Sequence, residues 1–257
     1  MAAQTARWRG DSAGPDGELK VCGGIRMALE RAISVEQLGA LRRLDTCAVS
    51  NAIEAFQIRL RNAGFADARV RCIFEDLPPM VGYAATARLR TGEPPITGSY
   101  HDRADWWKSI LQVPEPRIVV LQDLDEPPGV GALLGDVQAA ILRALGCVGY
   151  VTNGAVRELP RVREQRLSLF AGNVAVSHAY AHVFDFGSTV NVGGLEVQPG
   201  DLLHGDRHGV LTVPKEIVPE IPEVAARLEQ AEKKVIDFCR SQEFSVDKLQ
   251  RAVKGLS

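Results

Sequence analysis

The sequence predicts a single α/β domain with a mixed or parallel sheet. Two observations carry that reading. Residues 117–153 run strand, helix, strand with short links, the form of a βαβ crossover between parallel strands. Residues 167–214 then alternate short β runs with Gly-containing turns, and an amphipathic helix follows at 221–240.

Residues 1–30 are rich in Gly, Asp, Ser and Ala without sustained periodicity, and read as a flexible arm ahead of one domain over 31–257. Order is expected from Ser34, where "SVEQ" has the form of a capping box. A second helix follows in "DTCAVSNAIEAF", capped by Asp45 or Thr46, with Val49, Ile53 and Phe56 on one face. "ARVRCIF" (68–74) and "MVGYAATARLR" (80–90) alternate as half-buried strands do. "HDRADWWKSILQV" (101–113) is helical, with Trp106, Ile110 and Leu111 in register.

"RIVVLQDL" (117–124) has the apolar, β-branched run of a strand covered on both faces. "GALLGDVQAAILRALG" (131–146) places Val137, Ala140, Ile141, Ala144 and Leu145 at helical spacing and stops at Gly146. "CVGYVTN" (147–153) is again strand. In the 221–240 helix, Val224, Leu228, Ala231, Val235 and Phe238 form the apolar stripe.

Composition narrows the function classes. Hydrophobic residues make up 46% of the 257, enough for a sizeable core. A net charge of −2, from 30 basic and 32 acidic residues, gives no electrostatic reason to expect nucleic acid or an anionic membrane as partner. Cys22, Cys47, Cys72, Cys147 and Cys239 are scattered, with no C-x-x-C pair, and read as reduced, mostly buried thiols. No apolar run approaches the ~20 residues of a membrane span, and residues 1–20 lack a signal peptide's apolar stretch. A soluble cytoplasmic protein is expected.

The candidate chemistry gathers around "GDVQ" (135–138) and "TNGAVRE" (152–158). Asp136 sits near a helix start, where an acid serves as a cap or complements the dipole. The same turn offers the N–H groups of Val137 and Gln138 to a carboxylate or phosphate. Asn153-Gly154 before Arg157-Glu158 fits a hairpin turn with a solvated ion pair. Yet a βαβ unit brings both segments to one sheet edge, where α/β proteins bind ligands. There Arg157 could fork onto a carboxylate or oxyanion, and Glu158 could hold Mg²⁺. His178/His182 and His204/His208 have four-residue spacing, which aligns ligands only on a helix, and neither stretch reads as helix. Glu232 flanks the stripe of the last helix and reads as a solvated acid or one awaiting a partner from a metal or a second subunit. Walker, G-x-S-x-G and G-x-G-x-x-G motifs are absent from the sequence.

"GDVQAAILRALGCVGYVTNGAVREL" and "VQPGDLLHGDRHGVLTVP", with "LDTCAVSNAI" and "PPMVGYAATARL" before them, resemble the RraA-like family over roughly residues 35–250. That family includes the class II 4-hydroxy-4-methyl-2-oxoglutarate aldolases. Its most specific element is an Asp, a long fixed spacer, then Arg and an acid, here Asp136, Arg157 and Glu158. The resemblance implies a β/β/α swivelling-type sandwich with a central mixed sheet and a C-terminal helix, assembled as homotrimers or dimers of trimers. It implies a metal-dependent lyase that cleaves a 4-hydroxy- or 4-carboxy-2-oxo acid to pyruvate or a similar product. Gly135, Asp136, Val137, Gln138 and Arg157 would bind the 2-oxo acid, with Arg157 and Asp136 catalytic. Glu158, and Glu232 from a neighbouring subunit, would support Mg²⁺ or Mn²⁺. The alternative is a non-catalytic member that inhibits RNase E by protein contacts. Such members typically lack the acid after the Arg. The sequence departs from the aldolase pattern in having Glu158 and Asn153 where Asp is usual, and in its N-terminal arm and "DWWKSIL" helix.

Overall fold

A computed structural model of the protein describes residues 33–95 and 103–253; the arm expected over 1–30 lies outside them, as do the first two residues of the helix expected from 101. Helix α1 (Val35–Leu41) opens on Ser34, whose hydroxyl accepts the Gln37 N–H while the Gln37 side chain returns to the Ser34 N–H. The expected capping box is therefore formed. Helix α2 (Thr46–Ala55) is capped by Asp45, which accepts the Ala48 N–H at 2.7 Å.

Strands β1 (Arg71–Cys72) and β2 (Met80–Arg90) precede α3 (Ala104–Leu111), β3 (Arg117–Asp123), β4 (Ala132–Leu134) and α4 (Asp136–Ala144). Then come β5 (Cys147–Thr152), β6 (Ala155–Val156) and α5 (Leu159–Glu164). Seven short strands follow: β7 (Ser168–Ala171), β8 (Asn173–Val174), β9 (His182–Phe186), β10 (Val190–Val192), β11 (Leu195–Val197), β12 (Leu202–Asp206) and β13 (Gly209–Val213). Helices α6 (Ile221–Cys239) and α7 (Val246–Val253) come last.

The main sheet has the order β1-β7-β5-β3-β2-β12-β13, with β9 also on β2. Strands β2, β3, β5 and β7 run parallel, while β1, β12, β13 and β9 pair antiparallel. The sheet is mixed, as expected. Alternation along β3 explains the layering. Val119 and Leu121 join the core with Trp106 and Ile110 of α3, Leu142 of α4 and Val162 of α5. Ile118 and Val120 pack with Val190, Val192, Leu195 and Val197 of the β10–β11 hairpin. The result is a small β layer, the central sheet and a helical layer. A third cluster joins α1, α2 and α6 to β12 and β13.

Several boundaries differ from the sequence reading. Only Arg71–Cys72 of the 68–74 stretch is strand. Strand β2 is buried almost throughout, because it lies inside the sheet and both its faces are covered. Ala132–Leu134 is strand where a helix was expected, since it pairs with β6. Leu111 is 49% exposed, so α3 buries Trp106 and Ile110 without it. The α6 stripe is half-buried at all five expected positions. Of the described cysteines, Cys147 is buried and Cys72 partly so, but Cys47 and Cys239 are exposed, a correction to the expectation of mostly buried thiols. Among the described residues no helix is long and apolar enough to cross a membrane.

Candidate active site

The site forms where β4 and β6 run side by side in a second, three-stranded parallel sheet with β8. Ala132 lies opposite Ala155 and Leu134 opposite Val156, and the Arg157 N–H donates to the Leu134 carbonyl at 3.0 Å. That register carries residues 135–138 against 157–158. The two segments singled out in the sequence therefore meet. The Asn153-Gly154 link is not a hairpin turn, because β6 pairs with β4 and β8 and not with β5. Asn153 instead fastens the loop to the end of β3. Its Oδ1 accepts the Asp123 N–H at 2.8 Å, and its Nδ2 donates to the Asp123 carbonyl at 2.9 Å. An Asp here could make only the first of these bonds at neutral pH.

Helix α4 begins at Asp136 with Gly135 as N-cap. A Cβ on Gly135 would collide with the Glu158 carboxylate, so the absent side chain permits the approach. Glu158 Oε2 accepts the Asp136 N–H at 3.0 Å, and Oε1 pairs with Arg157 Nη2 at 3.0 Å. Glu158 thus caps α4 from across the site, where the helix dipole favours an anion. It does so from the left-handed region, at φ 57° and ψ 37°. A non-glycine held there stores strain, as residues at functional sites often do.

Asp136 uses its own carboxylate on the Val137 N–H at 2.7 Å and on Arg161 at 3.4 Å. A hydrogen bond with the Glu158 carboxyl, then the Val137 N–H and Arg161, hold Asp136 below its ordinary pKa. Carboxylates of the chain itself therefore rest on two of the N–H groups expected to receive a ligand's carboxylate. The cradle accepts anions, and a ligand must share it with Glu158 or displace it.

A pocket of about 400 Å³ opens at this cradle. Besides Asp136, Arg157 and Glu158 it is lined by Gln138 of α4 and by Arg103 and Trp107 from the start of α3. Arg103 Nη1 donates to Gln138 Oε1 at 3.1 Å. Sequence reasoning did not place Arg103 or Trp107 in the site. The available signal was a cation one helical turn ahead of an indole in "RADWW".

Two other groups of candidates lie elsewhere. Glu232 is exposed on α6 and lines a separate cavity with Asp45, Asn51 and Glu229. One chain alone does not bring it to Glu158. His204 is buried, within 3.1 Å of the Leu41 carbonyl and of Thr46 Oγ1, while His208 contacts Asp206 at 3.0 Å. His204 thus finds its partners on α1 and α2, and His208 at the end of β12. Among the described residues no group of three or more His, Cys, Asp and Glu is placed to hold a metal.

The RraA-like family model, described as Aldolase/RraA, matches residues 46–212. The chain belongs to this family, which embraces aldolases and RNase E inhibitors alike. It is 26% identical over 167 residues to the uncharacterized protein MJ0644 of Methanocaldococcus jannaschii, covering 65% of this chain and 76% of that protein. A protein of Halalkalibacterium halodurans, provisionally named a 4-hydroxy-4-methyl-2-oxoglutarate aldolase, is 28% identical over 85 residues, or 33% of this chain and 40% of that one. In that comparison the chain spans less than half of its relative. Among solved structures, an uncharacterized Pseudomonas syringae protein superposes with a TM-score of 0.65 at 22% identity, covering 93% of this chain and 100% of that one. Streptomyces coelicolor RraAS2, described as an unusual member of the RNase ES inhibitor RraA family, gives 0.61 at 22% identity over 78% and 96% of the two chains. These likenesses establish the fold.

Proposed function

We propose that the protein is a divalent-metal-dependent carbon–carbon lyase. It would cleave a 4-hydroxy- or 4-carboxy-2-oxo acid and release pyruvate or a similar 2-oxo acid. The observation that carries this reading is the convergence of Asp136, Arg157 and Glu158 on one pocket at the start of α4. Membership of a family that includes aldolases supports it.

The residues divide the work by their chemistry. The opening N–H groups of α4 and the Arg157 guanidinium receive the substrate's carboxylate and C2 oxygen. Breaking the C3–C4 bond moves its electron pair through C2 onto that oxygen, giving a pyruvate enolate whose charge Arg157 stabilises. With a 4-hydroxy substrate the C4 hydroxyl loses its proton and becomes a carbonyl; with a 4-carboxy substrate carbon dioxide departs. Asp136, with its lowered pKa, is ionised at neutral pH and orients the water that carries the proton. Protonation at C3 completes pyruvate.

The donor set fits the implied metal. Glu158 and Asp136 both bring carboxylates to this pocket, and a hard cation prefers oxygen donors while keeping several waters. Glu158 would hold the ion, with Glu232 of a neighbouring copy in a homotrimer or dimer of trimers as a further support. When bound, Mg²⁺ or Mn²⁺ supplies Lewis-acid polarisation of the C2 carbonyl.

The test is pyruvate release from oxaloacetate and from 4-hydroxy-4-methyl-2-oxoglutarate, with Mg²⁺ and with EDTA. Metal-dependent release supports the reading. A folded, metal-supplied protein that releases nothing from either counts against it and favours a binding role.

A further inference from the structure

We propose that Arg103, Gln138 and Trp107 form a second anion subsite in this pocket, which binds the far carboxylate of a dicarboxylic 2-oxo acid and sets substrate preference. The proposal rests on the lyase reading above, because that reading places the other end of the substrate.

Among the described residues, eight buried side-chain nitrogen and oxygen atoms lack a hydrogen-bond partner. Four of them, Arg103 Nε, Trp107 Nε1, Gln138 Nε2 and Arg157 Nε, belong to residues that line this one pocket. All four are N–H donors, and none of the buried unpaired side-chain atoms at this pocket is an acceptor. Buried polar groups are normally satisfied, so a concentration of one kind calls for a ligand of the opposite kind. Such a ligand is rich in acceptors.

Gln138 is only 5% exposed. Its Oε1 is taken by Arg103 at 3.1 Å, which leaves the Nε2 donor to the ligand. The two cations of the pocket differ in their needs. Arg157 has the Glu158 carboxylate at 3.0 Å, and elsewhere the buried Arg117 has Glu115 at 2.7 Å. Arg103 has the neutral Gln138 amide and no carboxylate partner among the described residues. Burial lowers its pKa, the direction expected of a cation short of a counter-charge.

The elements keep the two ends apart. The Trp107 backbone N–H donates to the Arg103 carbonyl at 3.0 Å, so the two side chains stand one turn apart at the start of α3. Arg157 comes from the loop after β6. Leu133 and Ile141 supply apolar lining suited to the carbon chain of a ligand.

Two pairs of ligands with a common head test the subsite. Calorimetric binding of 2-oxoglutarate and of pyruvate would be compared in the wild type, Arg103→Met and Arg103→Lys. Turnover of 4-hydroxy-4-methyl-2-oxoglutarate and of 4-hydroxy-2-oxopentanoate, which lacks the far carboxylate, would be compared in the same proteins. Arg103→Met should reduce the preference for the dicarboxylate about tenfold or more in both pairs, and Arg103→Lys should restore part of it. An equal effect on both members of a pair would overturn the subsite. Loss of the binding preference in Arg103→Met, with a wild type that turns neither substrate over, would uphold the subsite while the lyase reading failed. Intact turnover without any split between the ligands would do the reverse.

Discussion

The Glu158 carboxylate accepts the Asp136 N–H at 3.0 Å, reaching back across the site to cap the helix that Asp136 begins. One side chain thereby bridges the Arg157 guanidinium and the α4 terminus. The same residue pays a conformational cost, with its backbone at φ 57°.

These two properties predict different effects for two small substitutions. Glu158→Ala loses the cap and keeps the strain, and should destabilise the fold by about 1–2 kcal/mol. Glu158→Gly loses the cap but relieves the left-handed backbone, worth roughly 1–2 kcal/mol, and should lie near the wild type. Urea denaturation of both separates the terms. Equal destabilisation would mean that the backbone is not strained.

Arg157→Lys keeps the charge and removes the planar fork. If Arg157 stabilises the enolate oxygen, kcat/KM should fall about 10²-fold or more with the fold intact. A change confined to KM would assign Arg157 to ground-state binding alone.

Asn153→Asp replaces the amide that donates to the Asp123 carbonyl at 2.9 Å with a carboxylate facing it. The expected cost is about 1–3 kcal/mol at neutral pH, read from denaturant midpoints. It should shrink as the new acid is protonated. Asp123, whose pKa burial already raises, stands beside this position and adds to the penalty.

Stability should also fall with acid at the β12–β13 end. Burial lowers the His204 pKa from its ordinary 6.5, so the unfolded chain takes up a proton there before the folded one does. Burial alone would raise Asp206, but the N–H groups of His208 and Thr46 outweigh it and bring it below 3.8. Both groups bind fewer protons when folded. Stability is thus fully present above about pH 6.5, declines as His204 becomes protonated in the unfolded chain, and declines again as Asp206 titrates. Denaturation midpoints from pH 7 to pH 3 check this, and Asp206→Asn should flatten the lower limb.

Much of the fold was readable because its signals are local. Ser34 and Asp45 cap the helices their sequences announce, and Gly146 adopts φ 75° just past the end of α4. The errors arose where distant pairing overrode local pattern. Ala132–Leu134 carries a helix-compatible sequence but is recruited by β6, and β2 alternates in sequence yet is covered on both faces. The same holds for the site. Local sequence reads Asp136 as a helix cap and Arg157-Glu158 as a solvated pair; the RraA-like resemblance singles them out, and the βαβ unit predicts the meeting of their segments. Arg103 and Trp107 come from a helix with no motif of its own, and only packing places them in the pocket.

A pocket that stabilises a 2-oxo acid enolate exchanges pyruvate's methyl protons with solvent deuterium, a step measured without a need for the native substrate. Exchange followed by NMR should require Mg²⁺ or Mn²⁺, stop with EDTA, and disappear in Glu158→Ala and Arg157→Lys. Metal-supplied, folded wild type that binds pyruvate yet exchanges no faster than buffer would contradict the account.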